Sequence, residues 1–214
     1  MNVLVIGANG RTGRHIVPLL KQAGHDVFSL VRDENQKAFM ESLGAQVILG
    51  DLESPLDYAL ESKQALIFAA GSGSKTGPEK TVDVDQNAAI SLMAQSEVSE
   101  CKRFIMLSSM GVDSPEEGPE KLRHYLRAKA AADHKLKASN LSWSIIRPGL
   151  LSDEPSCGKI EASVSLGPID LTRSISREDV GKVLVGCLNY SNTTHKTFDI
   201  LSGSESIESV LKRI

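Results

Sequence analysis

Residues 7–15 read Gly7-Ala8-Asn9-Gly10-Arg11-Thr12-Gly13-Arg14-His15 and follow directly on the run Asn2-Val3-Leu4-Val5-Ile6. That run is short, branched and largely apolar, as a buried parallel strand requires. Beyond the turn, residues 14–23 carry apolar side chains at 16, 17, 19, 20 and 23, the spacing of one helix face. Strand, glycine turn and helix, in that order, give a G-x-x-G-x-x-G stretch its meaning as a phosphate-binding device. Gly7 permits a tight turn out of the strand. Gly10 lets a pyrophosphate approach the backbone, and Gly13 lets the helix lie close to the sheet. The helix N-terminus then offers N–H groups and partial positive charge to the phosphates. The bland alternative is a tight turn with no ligand.

The alternation continues outward from this turn. Strands are expected over residues 26–31, 46–49, 65–70, 103–107 and 142–146, and helices over 35–43, 81–98 and 120–133. Regular alternation with short links predicts the α/β class, a Rossmann-type doubly wound parallel sheet with its sites at the carboxyl ends of the strands. Residues 150–174 break the rhythm and read as loop, with a short extended piece near 159–164. Ser176-Arg-Glu-Asp179 is a helix start followed by an apolar stripe, and residues 196–201 form a last strand before a short helix at 206–212. One domain is expected over 1–214, with 150–214 supplying a small substrate-side lobe.

Composition sets the wider bounds. The 214 residues carry 41% hydrophobic and 24% charged side chains and a net charge of −3, so neither nucleic acid nor an anionic membrane is an expected partner. No apolar run approaches the ~18 residues of a membrane span. With the first strand expected from residue 2, no signal peptide is expected. Cys101, Cys157 and Cys187 form no C-x-x-C pair and fit reduced thiols in a cytoplasm; no metal site is expected.

Arg32 ends the second strand, 19 residues after Gly13. A cation there suits the 2′-phosphate of NADP, whereas an acid suits the free ribose of NAD. Arg11 could close on the same phosphate. Asp33 follows at once, and a shift of one residue would reverse the reading towards NAD. Asp51, just past the third strand, either accepts from the adenine amino group or caps the next short helix, where Ser54 and Pro55 also look like start signals. The glycine-rich stretch 71–78 is expected to be a mobile flap.

Tyr125 and Lys129 stand four apart on one helix and therefore share a face. Ser109 lies at the carboxyl end of the fifth strand, where a nicotinamide is expected. The bland reading is a buried tyrosine and a surface lysine.

With Gly7, Gly10, Gly13, Ser109, Tyr125 and Lys129 so placed, residues 1–150 resemble the short-chain dehydrogenase/reductases of atypical or extended type. The nearest subset resembles the small proteins related to flavin and biliverdin reductases and the NmrA-like redox sensors. The resemblance implies that Ser109 binds a substrate carbonyl, Tyr125 transfers the proton, and Lys129 holds the nicotinamide ribose. It also implies cofactor contacts from Asn9, Gly10, Arg11, Thr12, Arg32, Asp51, Leu52, Ala69, Ala70, Gly71, Lys129 and Pro148. An NADP(H)-dependent oxidoreductase acting on a small carbonyl or conjugated acceptor is the leading expectation, and a non-catalytic NADP(H) sensor or an assembly factor its rival. Two features depart from the family. Asp83 stands where many relatives carry a fourth catalytic Asn. Only 65 residues follow Gly149, which disfavours epimerisation of a nucleotide sugar.

Overall fold

A computed structural model of the chain describes residues 1–73 and 77–214. In order it forms β1 (Asn2–Ile6), α1 (Gly13–Gln22), β2 (Asp26–Val31), α2 (Lys37–Ser42), β3 (Gln46–Leu49), α3 (Asp57–Leu60), β4 (Ala65–Phe68), α4 (Pro78–Thr81), α5 (Ala89–Glu97) and β5 (Arg103–Leu107). Then follow α6 (Arg123–Lys137), β6 (Ser142–Pro148), β7 (Leu150–Ser152), β8 (Lys159–Ser163), β9 (Ser174–Ser176), α7 (Arg177–Gly186), β10 (Lys196–Ser202), β11 (Glu205–Ser206) and α8 (Ile207–Arg213).

The main sheet has the order β3-β2-β1-β4-β5-β6-β10-β8-β11. β1 to β6 and β10 run parallel. The first six positions are the doubly wound order, with its reversal beside β1, where such sheets bind ligands. The expected fold class is therefore the observed one.

Alternation along β1 shows why the sheet is buried on both faces. Val3 and Val5 pack with Ile16, Val17 and Leu20 of α1 and with Val180, Val183 and Leu184 of α7. Leu4 and Ile6 point the other way, against Leu92 and Met93 of α5 and Ala132 and Leu136 of α6.

Three details go beyond the expected pattern. The helix expected over 81–98 is interrupted, because a π-helical stretch, Val82–Ala88, lies between α4 and α5. Residues 150–174, read as loop with an extended piece near 159–164, form β8 at that piece, antiparallel to β10, and pair β7 with β9 in a separate small sheet. Residues 74–76, in the middle of the expected flap, lie outside the described residues. The predicted start of α7 is as drawn, with Ser176 Oγ accepting from the Asp179 N–H at 3.0 Å.

Arg103 ties this frame together without a carboxylate. Its guanidinium donates to Ser142 O (2.9 Å), Ser144 Oγ (2.7 Å) and Cys187 O (2.7 Å). Cys187 closes α7, so the partial negative charge of a helix C-terminus faces the half-buried cation.

Two consequences for stability can be measured. A Cβ on Gly13 would come within 2.6 Å of Ala8 O and closer still to Gly7 O, both of them backbone atoms. Gly13→Ala should therefore cost about 1–3 kcal/mol, the usual range for overpacking, read as a lowered urea midpoint. His25 is buried, and neither ring nitrogen has a hydrogen-bond partner among the described residues. Burial, then the N-terminal ammonium, push its pKa below the ordinary value. The unfolded chain thus takes up this proton more readily, and stability should fall as pH drops below about 6.5. In His25→Gln that share of the change in urea midpoint between about pH 7.5 and 5.5 should be lost.

Candidate active site

The glycine turn is built as a cradle. Gly7 has φ +79°, and a Cβ there would lie 2.6 Å from Ala70 N, so the turn rests directly on the chain leaving β4. Among the described residues a Cβ on Gly10 would meet only Gly7 O, at 3.0 Å, and Gly10 is exposed. Thr12 caps α1, but its side chain makes no capping hydrogen bond. Arg14 fixes the turn by donating from Nε to Asn9 O (3.0 Å) and from Nη2 to Asn9 Oδ1 (2.9 Å). Its guanidinium also lies over the Phe39 ring, 4.7 Å from the centroid. An open glycine beside an uncapped helix N-terminus fits a pyrophosphate.

The flanking charges sort themselves by their partners. Arg32 is exposed at the end of β2. Asp33 turns into its own loop, accepting from Asn35 N and Nδ2, each at 2.9 Å. Asp51 Oδ1 accepts from Glu53 N at 3.1 Å in a local turn; it does not cap α3, whose N-cap is Leu56. Arg11, expected on a phosphate, is ion-paired with Asp153, and the same carboxylate takes Arg177 at 2.6 Å. A cleft of about 390 Å³ beside Leu52 is lined also by Pro55, Asp83 and Asn87.

The chemistry-bearing residues converge at the carboxyl ends of β4 and β5. Tyr125, Lys129 and Asp133 descend one face of α6 at intervals of four. The Ser109 side chain lies near enough to the Tyr125 hydroxyl to favour its ionised form. Ser109 Oγ also lies 3.1 Å from Met110 O, to which it donates. Lys129 is no surface lysine: its Nζ donates to Leu107 O (3.1 Å) and Ala70 O (3.4 Å) and lies 5.9 Å from the Tyr125 ring centroid. Its ion-pair partner is Asp85 in the π-helical stretch, at 3.2 Å, with the two side chains 3% and 0% exposed. Asp85 Oδ2 in turn accepts from Ser72 N at 2.9 Å.

A second charge cluster lies one turn further along α6. Asp133 accepts from Arg147 Nε at 2.9 Å, and Arg147 reaches Asp113 with both Nη atoms at 2.6 and 2.9 Å. This pins β6, just before the buried Pro148, to α6 and to the loop after β5.

Burial raises the pKa of the Tyr125 phenol, and Asp85 adds to the rise, while Lys129 and the Ser109 side chain pull it down. Burial opposes the Lys129 charge, yet Tyr125 and Asp85 together hold its pKa above the ordinary value. Burial also lifts Asp133, against the pull of Arg147, whereas the Arg147 hydrogen bonds hold Asp113 below the usual carboxylate range.

Asp85, not Asp83, is thus the acid beside Lys129, and the sequence did not single it out. A signal was present. Asp85 stands four residues before Ala89 and seven before Leu92, on the stripe the helix buries. An acid on an apolar stripe needs a partner.

Comparison with known proteins identifies the family. A family model described as NAD(P)H-binding matches residues 7–191. The chain is 40% identical over 219 residues to a Bacillus subtilis protein called the uncharacterized sugar epimerase YhfK, covering 100% of each. A solved structure from Bacillus halodurans, assigned to the NAD-dependent epimerase/dehydratases, superposes with a TM-score of 0.97 at 41% identity, covering 100% of both chains. The oxidoreductase ylbE from Lactococcus lactis superposes with a TM-score of 0.84 at 25% identity, covering 100% of this chain and 96% of that one. With an open glycine cradle at the head of a doubly wound sheet and a family model spanning most of its length, the chain belongs to the NAD(P)H-binding family of Rossmann-type, oxidoreductase-like proteins.

Proposed function

We propose that the protein is an NADPH-dependent reductase of the short-chain dehydrogenase/reductase type, acting on a small carbonyl or conjugated acceptor. The observation that carries this reading is the meeting of Ser109, Tyr125 and Lys129 at the end of β5, beside the glycine cradle.

Gly7, Gly10 and Gly13 with the start of α1 would hold the pyrophosphate. Asn9, Thr12, Leu52, Ala69, Ala70, Gly71 and Pro148 would line the rest of the cofactor, and Lys129 would hold the nicotinamide ribose. Bound NADPH supplies the hydride. Ser109 orients the acceptor oxygen, and Tyr125 gives it the phenolic proton as the carbon gains the hydride, after which the phenolate regains a proton from solvent. A neutral phenol suits that step, because acting as a base near pH 7 would need a pKa lowered by about 3 units from its free value near 10. Leu122 at the head of α6 and Leu150 just past β6 are exposed and apolar, which favours an apolar acceptor. The preference for NADPH rests on Arg32, exposed while its acidic neighbour Asp33 is spent on its own loop.

The Bacillus relative's name suggests epimerisation as a second reading. An epimerase must first use Tyr125 as a base, and the carboxylate of Asp85 beside Lys129 works against that. A sensor, the other alternative, would need the cradle but not Tyr125.

Absorbance-monitored oxidation of NADPH against aldehydes, ketones, quinones and flavins tests the proposal. At least one acceptor should turn over, and Tyr125→Phe should slow its reduction by ~10²–10⁴ with nucleotide affinity nearly unchanged. Failure of every acceptor would favour the sensor. Reduction that persists in Tyr125→Phe would remove Tyr125 from the mechanism. Titration calorimetry checks the cofactor. A charge-assisted hydrogen bond contributes ~1.5–3 kcal/mol, so Arg32→Ala should weaken NADPH roughly ten- to a hundredfold and leave NADH unaffected. Equal weakening of both would exclude Arg32 from the 2′-phosphate.

A further inference from the structure

Among the described residues, the groups that act on the Tyr125 phenol are Lys129 and Asp133 from its own helix, Asp85 from the π-helical stretch and Ser109 from the end of β5. The charge of Asp133 is met by Arg147. What remains is the Lys129 ammonium and the Asp85 carboxylate, 3.2 Å apart and both buried. At that separation, away from water, an opposite charge cancels much of the field the ammonium would exert on a neighbour. The carboxylate is held in place by the Ser72 N–H on Oδ2, and a Cβ on Gly71 would lie 3.0 Å from Oδ1. The π-helical winding carries Asp85 in this arrangement, and such segments are frequent at functional sites.

We propose that Asp85 is a positioning residue that withholds the charge of Lys129 from Tyr125, so that the site donates protons and is fitted to carbonyl reduction rather than alcohol oxidation. This rests on the reading of Tyr125 as the group that transfers the proton. Oxidation of an alcohol begins from a phenolate, which takes the hydroxyl proton as the carbon loses its hydride. An uncompensated lysine cation would favour that phenolate, whereas a lysine already neutralised by a carboxylate does so much less. Reduction begins from the protonated phenol and loses nothing by the pairing. The raised pKa of Tyr125, caused by burial and reinforced by Asp85, agrees with this arrangement.

The test reads phenol ionisation in the cofactor-free protein by the near-ultraviolet absorbance of phenolate. Tyr58 and Tyr190 are subtracted with matched Tyr125→Phe backgrounds. Asp85→Asn keeps the shape of the side chain and removes its charge. Lys129 keeps its proton through the carbonyls of Leu107 and Ala70, so the Tyr125 midpoint should move down by at least about one pH unit, a tenfold change in ionisation constant. Asp85→Glu should return it towards the wild-type value. A midpoint that stays or rises in Asp85→Asn overturns the proposal. Should that variant not fold, carbon NMR of the Asp85 carboxyl in wild-type protein decides: an ionised group at neutral pH supports the proposal, and a protonated one overturns it. With NADPH and a working acceptor, the high-pH fall in kcat should move to lower pH by a similar amount. A shifted titration in a protein that reduces no acceptor would sustain the charge role of Asp85 while removing the reductase reading.

Discussion

Helix α1 starts where it does because Gly13 has no side chain. The backbone of Gly13 lies against the carbonyls of Gly7 and Ala8 with no room for a methyl group between them. That contact fixes the turn, and the turn fixes the direction in which the helix N-terminus points. Gly7 meanwhile rests on Ala69 and Ala70, so the same turn is braced on the neighbouring strand. The cradle is thus a rigid corner of the sheet, made by backbone against backbone. Its side chains do the remaining work from outside, with Arg14 gripping Asn9 and stacking on Phe39.

Across the switch point from this corner, the candidate site depends on buried charge. α6 carries Lys129 and Asp133 inward, and each meets an opposite charge from another element, Asp85 and Arg147. Such pairs are not strong sources of net stability, but removing one partner leaves a buried charge uncompensated, at a cost of roughly 3–5 kcal/mol. They therefore specify position: Lys129 can lie against the ends of β4 and β5 in few other ways. Arg103 plays a related part at the opposite end of the strands, with the C-terminal carbonyl of α7 in place of a carboxylate.

Much of this was legible before any coordinates. Residues 2–6 and the glycine spacing foretold the strand, the turn and the helix, because a buried parallel strand and a phosphate turn each demand a narrow set of residues. Tyr125 and Lys129 could be placed on one face because α6 is regular. What escaped the sequence has local physical causes. The π-helical winding of Val82–Ala88 leaves no mark in an apolar stripe, which reads the same with or without an extra residue per turn. Asp85 went unmarked although it stands on the apolar stripe of the helix, because its partner Lys129 lies on another helix. The ion pair of Arg11 with Asp153 escaped because Asp153 lies far along the chain in a stretch that gave no strong pattern. The antiparallel pairing of β8 escaped for the same reason: its partner β10 comes more than thirty residues later.

The order of strands carries a consequence for how the chain is made. Synthesis delivers β1 first, and β1 becomes an interior strand. Each of β2 to β6 then emerges to find a neighbour already present, on one side through β2 and β3, on the other through β4, β5 and β6. The nucleotide cradle can therefore take shape while the ribosome is still translating. Two strands cannot follow that rule. β7 must wait for β9, and β8 has no edge to join until β10 has docked on β6. The segment from β7 to β9 is thus the last to settle, and it settles only when β10 has left the ribosome.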